Sequence, residues 1–324
     1  MKFLFENWRS FLNEEERPRK FKYNYTLSDI AGNTIDQTPD SQPMYGASMN
    51  KPILAFVNLI LAKEGALHSR TKKPIRRLTS DELDRLISYS HKSNWSNRIN
   101  RTLSDLRYRP KWNPKYREYY NTTRDEIGIN KKQAAEVLTR FGLKKAFPGV
   151  RWGDNHQTTE GYNQFMSLLT NISSNPEHEH WNEATEVLKH VKKRQGGTPG
   201  KGLQDYLNKE LEKAGYGKNA IKTMYGKGGK TKNALNYSLI LNNKYILSLY
   251  TKKHGDTTLP NWRKGMHEIT LDTIKNNLTA EDFNIPTVEM PPENIHIDLP
   301  PEDVDIDFPH EDAPLDTEYE EDLS

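Results

Sequence analysis

From Ile53 to Leu61 every residue but Asn58 is apolar, in a chain whose mean hydropathy is only −0.91. A run this apolar in so polar a chain reads as a buried helix around which the rest must pack. Directly before it stands Ser48-Met49-Asn50-Lys51. On a helix, positions three apart share a face, so the Ser48 hydroxyl and the Lys51 amine are expected side by side. A serine becomes a nucleophile when a neighbouring base takes its proton, and a lysine acts as that base once burial or a second cation makes it give up its own. Ser-x-x-Lys also describes an ordinary helix start, with a serine at the N-terminus and Pro52 in the first turn. From these four residues alone the plainer reading is favoured.

A chain of 324 residues holds one large domain or two small ones and can bury a substantial core. Hydrophobic residues make up 34% of it, so part of the length is expected outside that core. There is no cysteine, which excludes disulfides and thiolate metal sites. The longest apolar run is about half a membrane span, so no transmembrane helix is expected. Met1–Arg9 breaks its apolar character at Glu6 and offers no small-residue cleavage site. It is not a secretory signal, and the cytoplasm is the expected location.

The net charge of +3 conceals an asymmetry: residues 283–324 contain 14 acidic and no Lys or Arg side chains. The body up to residue 282 therefore carries 47 basic against 30 acidic groups. Such a body attracts polyanions, or simply has a solubilising lysine surface. In the tail, Met290-Pro291-Pro292-Glu293-Asn294-Ile295-His296-Ile297-Asp298 is echoed by Leu299-Pro300-Pro301-Glu302-Asp303-Val304-Asp305-Ile306-Asp307. Proline pairs and mutually repelling carboxylates are expected to keep it extended and disordered. Its Ile/Val-x-Ile-Asp core suits addition to a partner's sheet edge; a solvated tail with no partner is the alternative.

Along the chain, residues 1–19 form an amphipathic leader and linker. Phe21, Tyr23, Tyr25 and Leu27 alternate as in a strand, and a weaker strand follows the turn around Gly32. The Ser48 helix ends near Gly65. Residues 66–215 are dominated by helical spacing, with a capping pattern at Thr79-Ser80-Asp81-Glu82 and a buried stripe of Leu83, Leu86 and Ile87. Helices are also expected at 129–141, from Thr158-Thr159, at 183–191 and at 203–211. Tyr108–Tyr120 is an irregular insertion rich in cations and aromatics, a combination that suits single-strand binding but is read here as a lid. Strands return around Ile221–Tyr225. Leu235, Tyr237, Leu239 and Leu241 then alternate, Asn242-Asn243-Lys244 turns, and Tyr245–Tyr250 pairs back. Trp262–Lys275 closes with a helix. Gly229-Lys230-Thr231 imitates the end of a phosphate loop, but Met224 stands where its first glycine belongs and a strand follows. His156, His178, His180 and His190 read as surface residues, since none form a His-x-x-x-His pair, and no metal or other cofactor is expected.

Three pieces in this order carry a resemblance. Ser48-Met49-Asn50-Lys51 looks like the nucleophile-and-base motif of the serine β-lactamase and penicillin-binding-protein superfamily, closest to its class A and D-alanyl-D-alanine peptidase branch. Lys227-Gly228-Gly229 looks like that superfamily's Lys-Thr/Ser-Gly strand. The stretch Leu86–Ile99, with Ser90 and Asn94, resembles the helix end that carries Ser-x-Asn. The likeness covers roughly residues 20–282 and implies an α/β (α+β) fold, an antiparallel sheet flanked by helices plus an all-helical subdomain.

The resemblance also implies roles. Ser48 would attack an acyl carbonyl, Lys51 would take its proton, and Ser90 would relay a proton to the leaving group. Lys227 would ease deprotonation of Lys51 and attract a substrate carboxylate, with Asn94, Gly228, Gly229 and Lys230 lining the substrate. The N–H groups of Ser48 and Lys230 would form the oxyanion hole. The departures matter: counted from Ser90, the Asn position is Lys92, Gly228 lacks a hydroxyl, and residues 127–159 contain no Glu-x-x-Leu-Asn. Glu136, inside an expected helix, reads as solvent-facing. A serine peptidase or esterase acting on a small acyl or peptide substrate is therefore expected rather than an efficient β-lactamase. An inactive binding or virion module and a basic polyanion or nucleic-acid binder are the alternatives. Phe5–Glu14 resembles the short leaders of tailed-phage proteins that direct cargo into the prohead, Leu12-Asn13-Glu14 fitting their protease site. That implies a bacterial host's cytoplasm or a phage virion.

Overall fold

The computed structural model describes residues 21–39, 41–88, 94–106, 117–151, 155–193, 202–253 and 258–284. The leader, the acidic tail, Ser90 and most of the aromatic insertion lie outside them. Contacts divide the chain into Met1–Thr287 and Val288–Ser324; everything below concerns the first unit.

Its centre is an antiparallel sheet of five strands. These are β1 (Phe21–Asp29), β2 (Thr34–Gln37), β5 (Met224–Lys230), β6 (Ala234–Leu241) and β7 (Tyr245–Lys253), in the order β2-β1-β7-β6-β5. The β6–β7 hairpin forms as expected, because Asn242 and Asn243 both accept left-handed backbone, at φ of 51° and 54°, the geometry that matches strand twist. A two-stranded ribbon, β3 (Met44–Tyr45) with β4 (His156–Gln157), stands beside it.

The two faces of the sheet bury different things. Tyr225, Ile240, Ile246 and Tyr250 share a core with the helical lobe. That lobe comprises α1 (Asn50–Lys63), α2 (Ser80–Leu83), α3 (Asn94–Leu103), α4 (Arg117–Ile127), α5 (Lys131–Arg140), α6 (Thr159–Ser173) and α7 (Trp181–Lys192). Leu235, Tyr237, Leu239, Leu241 and Leu247 face away, onto α8 (Leu203–Lys213), α9 (Leu259–Asn277) and α10 (Ala280–Asn284). The period-2 alternation thus supplies two cores from one sheet.

Helix α1 lies in the middle of the lobe, Asn50 through Leu61 all buried. The polar residue within its apolar run is satisfied: Asn58 donates to Arg76 O (3.1 Å) and accepts from the Leu78 amide (2.9 Å). Thr79 caps α2 through a capping box with Glu82. After Leu83 the helix widens into a π-type turn, Asp84–Ser88, which keeps Leu83, Leu86 and Ile87 buried. The irregular insertion ends sooner than expected: α4 begins at Arg117, where Tyr119 meets Trp95 edge-on at 5.0 Å. Among the described residues no helix is long and apolar enough to cross a membrane.

Candidate active site

Ser48 occupies a 3-10 turn, Ala47–Met49, that runs directly into α1. Its side chain does not cap the helix, since Met49 holds the N-cap position without a side-chain bond. Ala47 has a φ of 50°, a left-handed conformation that a residue with a Cβ adopts only when its surroundings impose it. Those surroundings are specific. The Gly46 amide donates to Asn155 O at 2.8 Å, and the Asn155 side chain donates to Ala47 O. Gln157 donates to Asn155 Oδ1 and accepts from the Tyr250 hydroxyl at 2.7 Å. Asn236 on β6 donates to Tyr45 O at 2.7 Å. Asn155, Gln157 and Asn236 are almost fully buried, so these bonds are not shared with bulk water.

Strand β5 closes the turn from the other side. A Cβ at Gly229 would lie 2.7 Å from the Ser48 amide nitrogen and 2.8 Å from Gly46 O. Two residues back on the same face stands Lys227, 0% exposed, its ammonium donating to Gly228 O at 2.7 Å. Lys51 is also 0% exposed. Its Nζ donates to Ser96 Oγ at 2.8 Å and Asn97 Oδ1 at 3.1 Å, both in the first turn of α3. Ser96 gives its own hydrogen to Leu86 O at 3.0 Å, so toward Lys51 it acts as an acceptor. Two buried lysines thus belong to elements that meet at one serine.

Of the sequence-derived site residues, Ser48, Lys51, Lys227, Gly228, Gly229 and Lys230 fall on these two elements. Ser90 lies outside the described residues. Asn94 opens α3. Ser96 and Asn97, which hold Lys51, were not singled out from sequence; their signal was the repeated Ser-Asn pair at 93–94 and 96–97. The histidines need correction. His156 is exposed, but His180 and His190 are 6% and 0% exposed. His190 is bracketed by Asp84 at 2.6 Å and Glu186 at 3.2 Å, partners that make burial tolerable.

No protein-family model and no curated protein sequence matches this chain. Solved structures do. A β-lactamase from Sphaerobacter thermophilus DSM 20745 superposes with a TM-score of 0.50 at 13% identity, over 81% of this chain and 93% of that one. A variant of the TLA-1 extended-spectrum β-lactamase gives 0.50 at 13% identity, over 83% and 98%. The fold is β-lactamase-like.

In this β-lactamase-like frame the segment between α5 and α6 runs beside the Ser48 turn, Val150 O accepting from Asn50 at 2.9 Å and Asn155 bonding Ala47. Among its described residues, Phe141–Arg151 and Asn155–Thr158, there is no carboxylate. Glu136 is 57% exposed beside Lys132 and points to solvent.

Proposed function

We propose that the protein is a serine acyl hydrolase of peptidase or esterase type that forms an acyl-enzyme on Ser48, as in the class A and D-alanyl-D-alanine peptidase branch. The observation that carries this reading is the side-chain-free Gly229 against the Ser48 amide. It lets β5 approach the nucleophile's turn, so that the Ser48 and Lys230 amides can share a developing oxyanion, an arrangement usually worth several kcal/mol. Lys51 is the general base. Its contacts to Ser96 and Asn97 need N–H donors, which an amine and an ammonium both provide, so the residue keeps its place when it takes the Ser48 proton and when it returns it. Lys227 supplies the positive charge that favours the neutral form of Lys51 and receives an anionic substrate.

The absence of Glu-x-x-Leu-Asn from residues 127–159 favours a second reading of the same site. Acylation would then be followed by slow hydrolysis, leaving a binding module rather than an efficient β-lactamase. A fluorescent penicillin and a fluorophosphonate, with intact-mass detection, test both. A Ser48 adduct in the native protein that is absent from Ser48→Ala supports acyl chemistry, and the adduct's lifetime separates turnover from retention. Labelling that survives Ser48→Ala, or no adduct with either probe, removes the proposal.

A further inference from the structure

One residue of α7 holds both ends of the π-type turn Asp84–Ser88. His190 meets the first residue through its side chain, Nδ1 lying 2.6 Å from Asp84 Oδ1. It meets the last through its backbone, its carbonyl oxygen accepting from the Ser88 hydroxyl at 3.0 Å. The same hydroxyl stands 3.0 Å from Asp84 Oδ1, which joins the two ends to each other. Lys193 adds its ammonium to both Asp84 oxygens, at 2.9 and 2.8 Å. Burial would raise the Asp84 carboxyl, but bonds from Lys193 and His190 carry it below its usual range. Asp84 is therefore a carboxylate that only accepts, and His190 Nδ1 carries the hydrogen between them. On the far edge of the ring, Nε2 lies 3.2 Å from Glu186.

The middle of the turn reaches the site. Leu86 O, between the two clamped ends, accepts the Ser96 hydroxyl hydrogen at 3.0 Å. A hydroxyl has one hydrogen and two lone pairs, so Ser96 keeps only acceptor capacity, and Lys51 Nζ uses it at 2.8 Å. Were that carbonyl displaced, the hydroxyl hydrogen would be released to turn toward Lys51 and oppose its amine. Turns of the π type are rare and recur at functional sites; here α7 supplies the outside hold. His190, Ser88, Leu86, Ser96 and Lys51 are all buried, so solvent does not replace a bond lost along this line.

We propose that His190 is a positioning residue for Lys51. By pinning Asp84 and Ser88 it sets the Leu86 carbonyl, and the Leu86 carbonyl sets Ser96 as the acceptor of the lysine. Asn97 Oδ1, at 3.1 Å, is the second acceptor, so removing His190 loosens Lys51 without releasing it. An ammonium loses more than a neutral amine when an acceptor goes. Lys51 therefore gives up its proton more readily once the turn is unpinned, and the same loosening moves it relative to Ser48. That Lys51 takes the Ser48 proton rests on the function proposed above; its positioning by His190 does not.

Two measurements on the full chain test this. The Lys51 titration is followed through its Cε resonance by NMR on lysine-labelled protein, with Lys51→Arg for assignment. Labelling of Ser48 by a fluorophosphonate gives the acylation rate. His190→Ala should raise the Lys51 acid constant about three- to tenfold, the worth of one hydrogen bond, and slow Ser48 labelling at least about tenfold. His190→Asn, whose amide reaches Asp84 from near the Nδ1 position, should restore both. His180→Ala, which vacates a buried histidine site at the other end of α7, should lower Tm and move neither. An unchanged Lys51 titration in folded His190→Ala overturns the proposal, as does an equal shift in His180→Ala or no recovery in His190→Asn. Should His190→Ala not fold, Ser88→Ala decides, because it cuts the other end of the turn and an unaltered Lys51 titration there is equally fatal. A Lys51 titration that shifts as expected, with no Ser48 labelling in any protein, would sink the hydrolase reading and leave this one standing.

Discussion

Gly229 faces the amide nitrogen of Ser48 so closely that the first carbon of any side chain would stand 2.7 Å from it. That contact is tighter than carbon and nitrogen tolerate, and the other near atoms, Gly46 O and Ala47 Cβ, belong to the same turn. Gly229→Ala must therefore push the turn and β5 apart. A displacement of about 1 Å at a reacting group costs on the order of a hundredfold in rate. The expected outcome is a Ser48 acylation rate lower by about that factor, together with a loss of about 1–3 kcal/mol of stability from the overpacked contact. Rapid-quench labelling checks it.

Asn155 carries the other side of the turn. Removing its side chain leaves Ala47 O and the Gln157 amide without their partner at a site 1% exposed. Each buried group so orphaned costs about 1–3 kcal/mol. Asn155→Ala should lower the unfolding free energy in urea by at least that amount and slow Ser48 acylation, because Ala47 is then no longer held at positive φ.

The packing of α6 offers a test of additivity. A Cβ at Gly161 would collide with Ala146 Cβ. Gly161→Ala should destabilise the protein despite alanine's better helix propensity. Ala146→Gly in the same chain should return part of the loss, a coupling of about 0.5–3 kcal/mol between touching sites. Denaturant melts of the four proteins in the cycle measure it.

Acid sensitivity should begin near the ordinary histidine range. Burial holds the His68 imidazole below its usual pKa, against the opposing pull of Asp105, and burial likewise lowers His180 against Glu179. Nδ1 of His68 accepts from the amides of Arg70 and Thr71, both at 3.3 Å, which requires that nitrogen to be unprotonated. The unfolded chain takes up protons as pH falls through about 6.5 while the folded one does not. Both groups therefore stabilise the fold above that pH, and the contribution drains away between 6.5 and their lower folded values. His68→Asn, which keeps an acceptor near the Nδ1 position, should flatten this limb of the Tm-versus-pH curve.

The elements that repeat were legible in the sequence. The apolar run gave α1, alternation gave β1 and β6, and the Asn242-Asn243 turn gave the hairpin with β7, each a local pattern with one physical cause. Ser48, Lys51 and Lys227 could be named because residue order carried a resemblance. What stayed hidden depends on residues far apart meeting. Ser96 and Asn97 look like any polar helix start until α3 is laid against α1. Asn155, Gln157 and Asn236 form a scaffold of amides with no periodicity at all. His180 and His190 read as surface residues because Phe141 beside His180 and Asp84 beside His190 lie 39 and 106 positions away.

Register also governs how this protein can change. The turn Thr231–Asn233 fixes Lys227 opposite Ser238. A one-residue insertion there would turn β5 over, carrying the lysine to the leucine-rich side and bringing Gly228 and Lys230 round to the side of the serine. Substitutions across most of the surface are open to drift, but the length of that three-residue connection is not. A single inserted codon, far from any reacting atom, would erase the chemistry while leaving each of its residues intact.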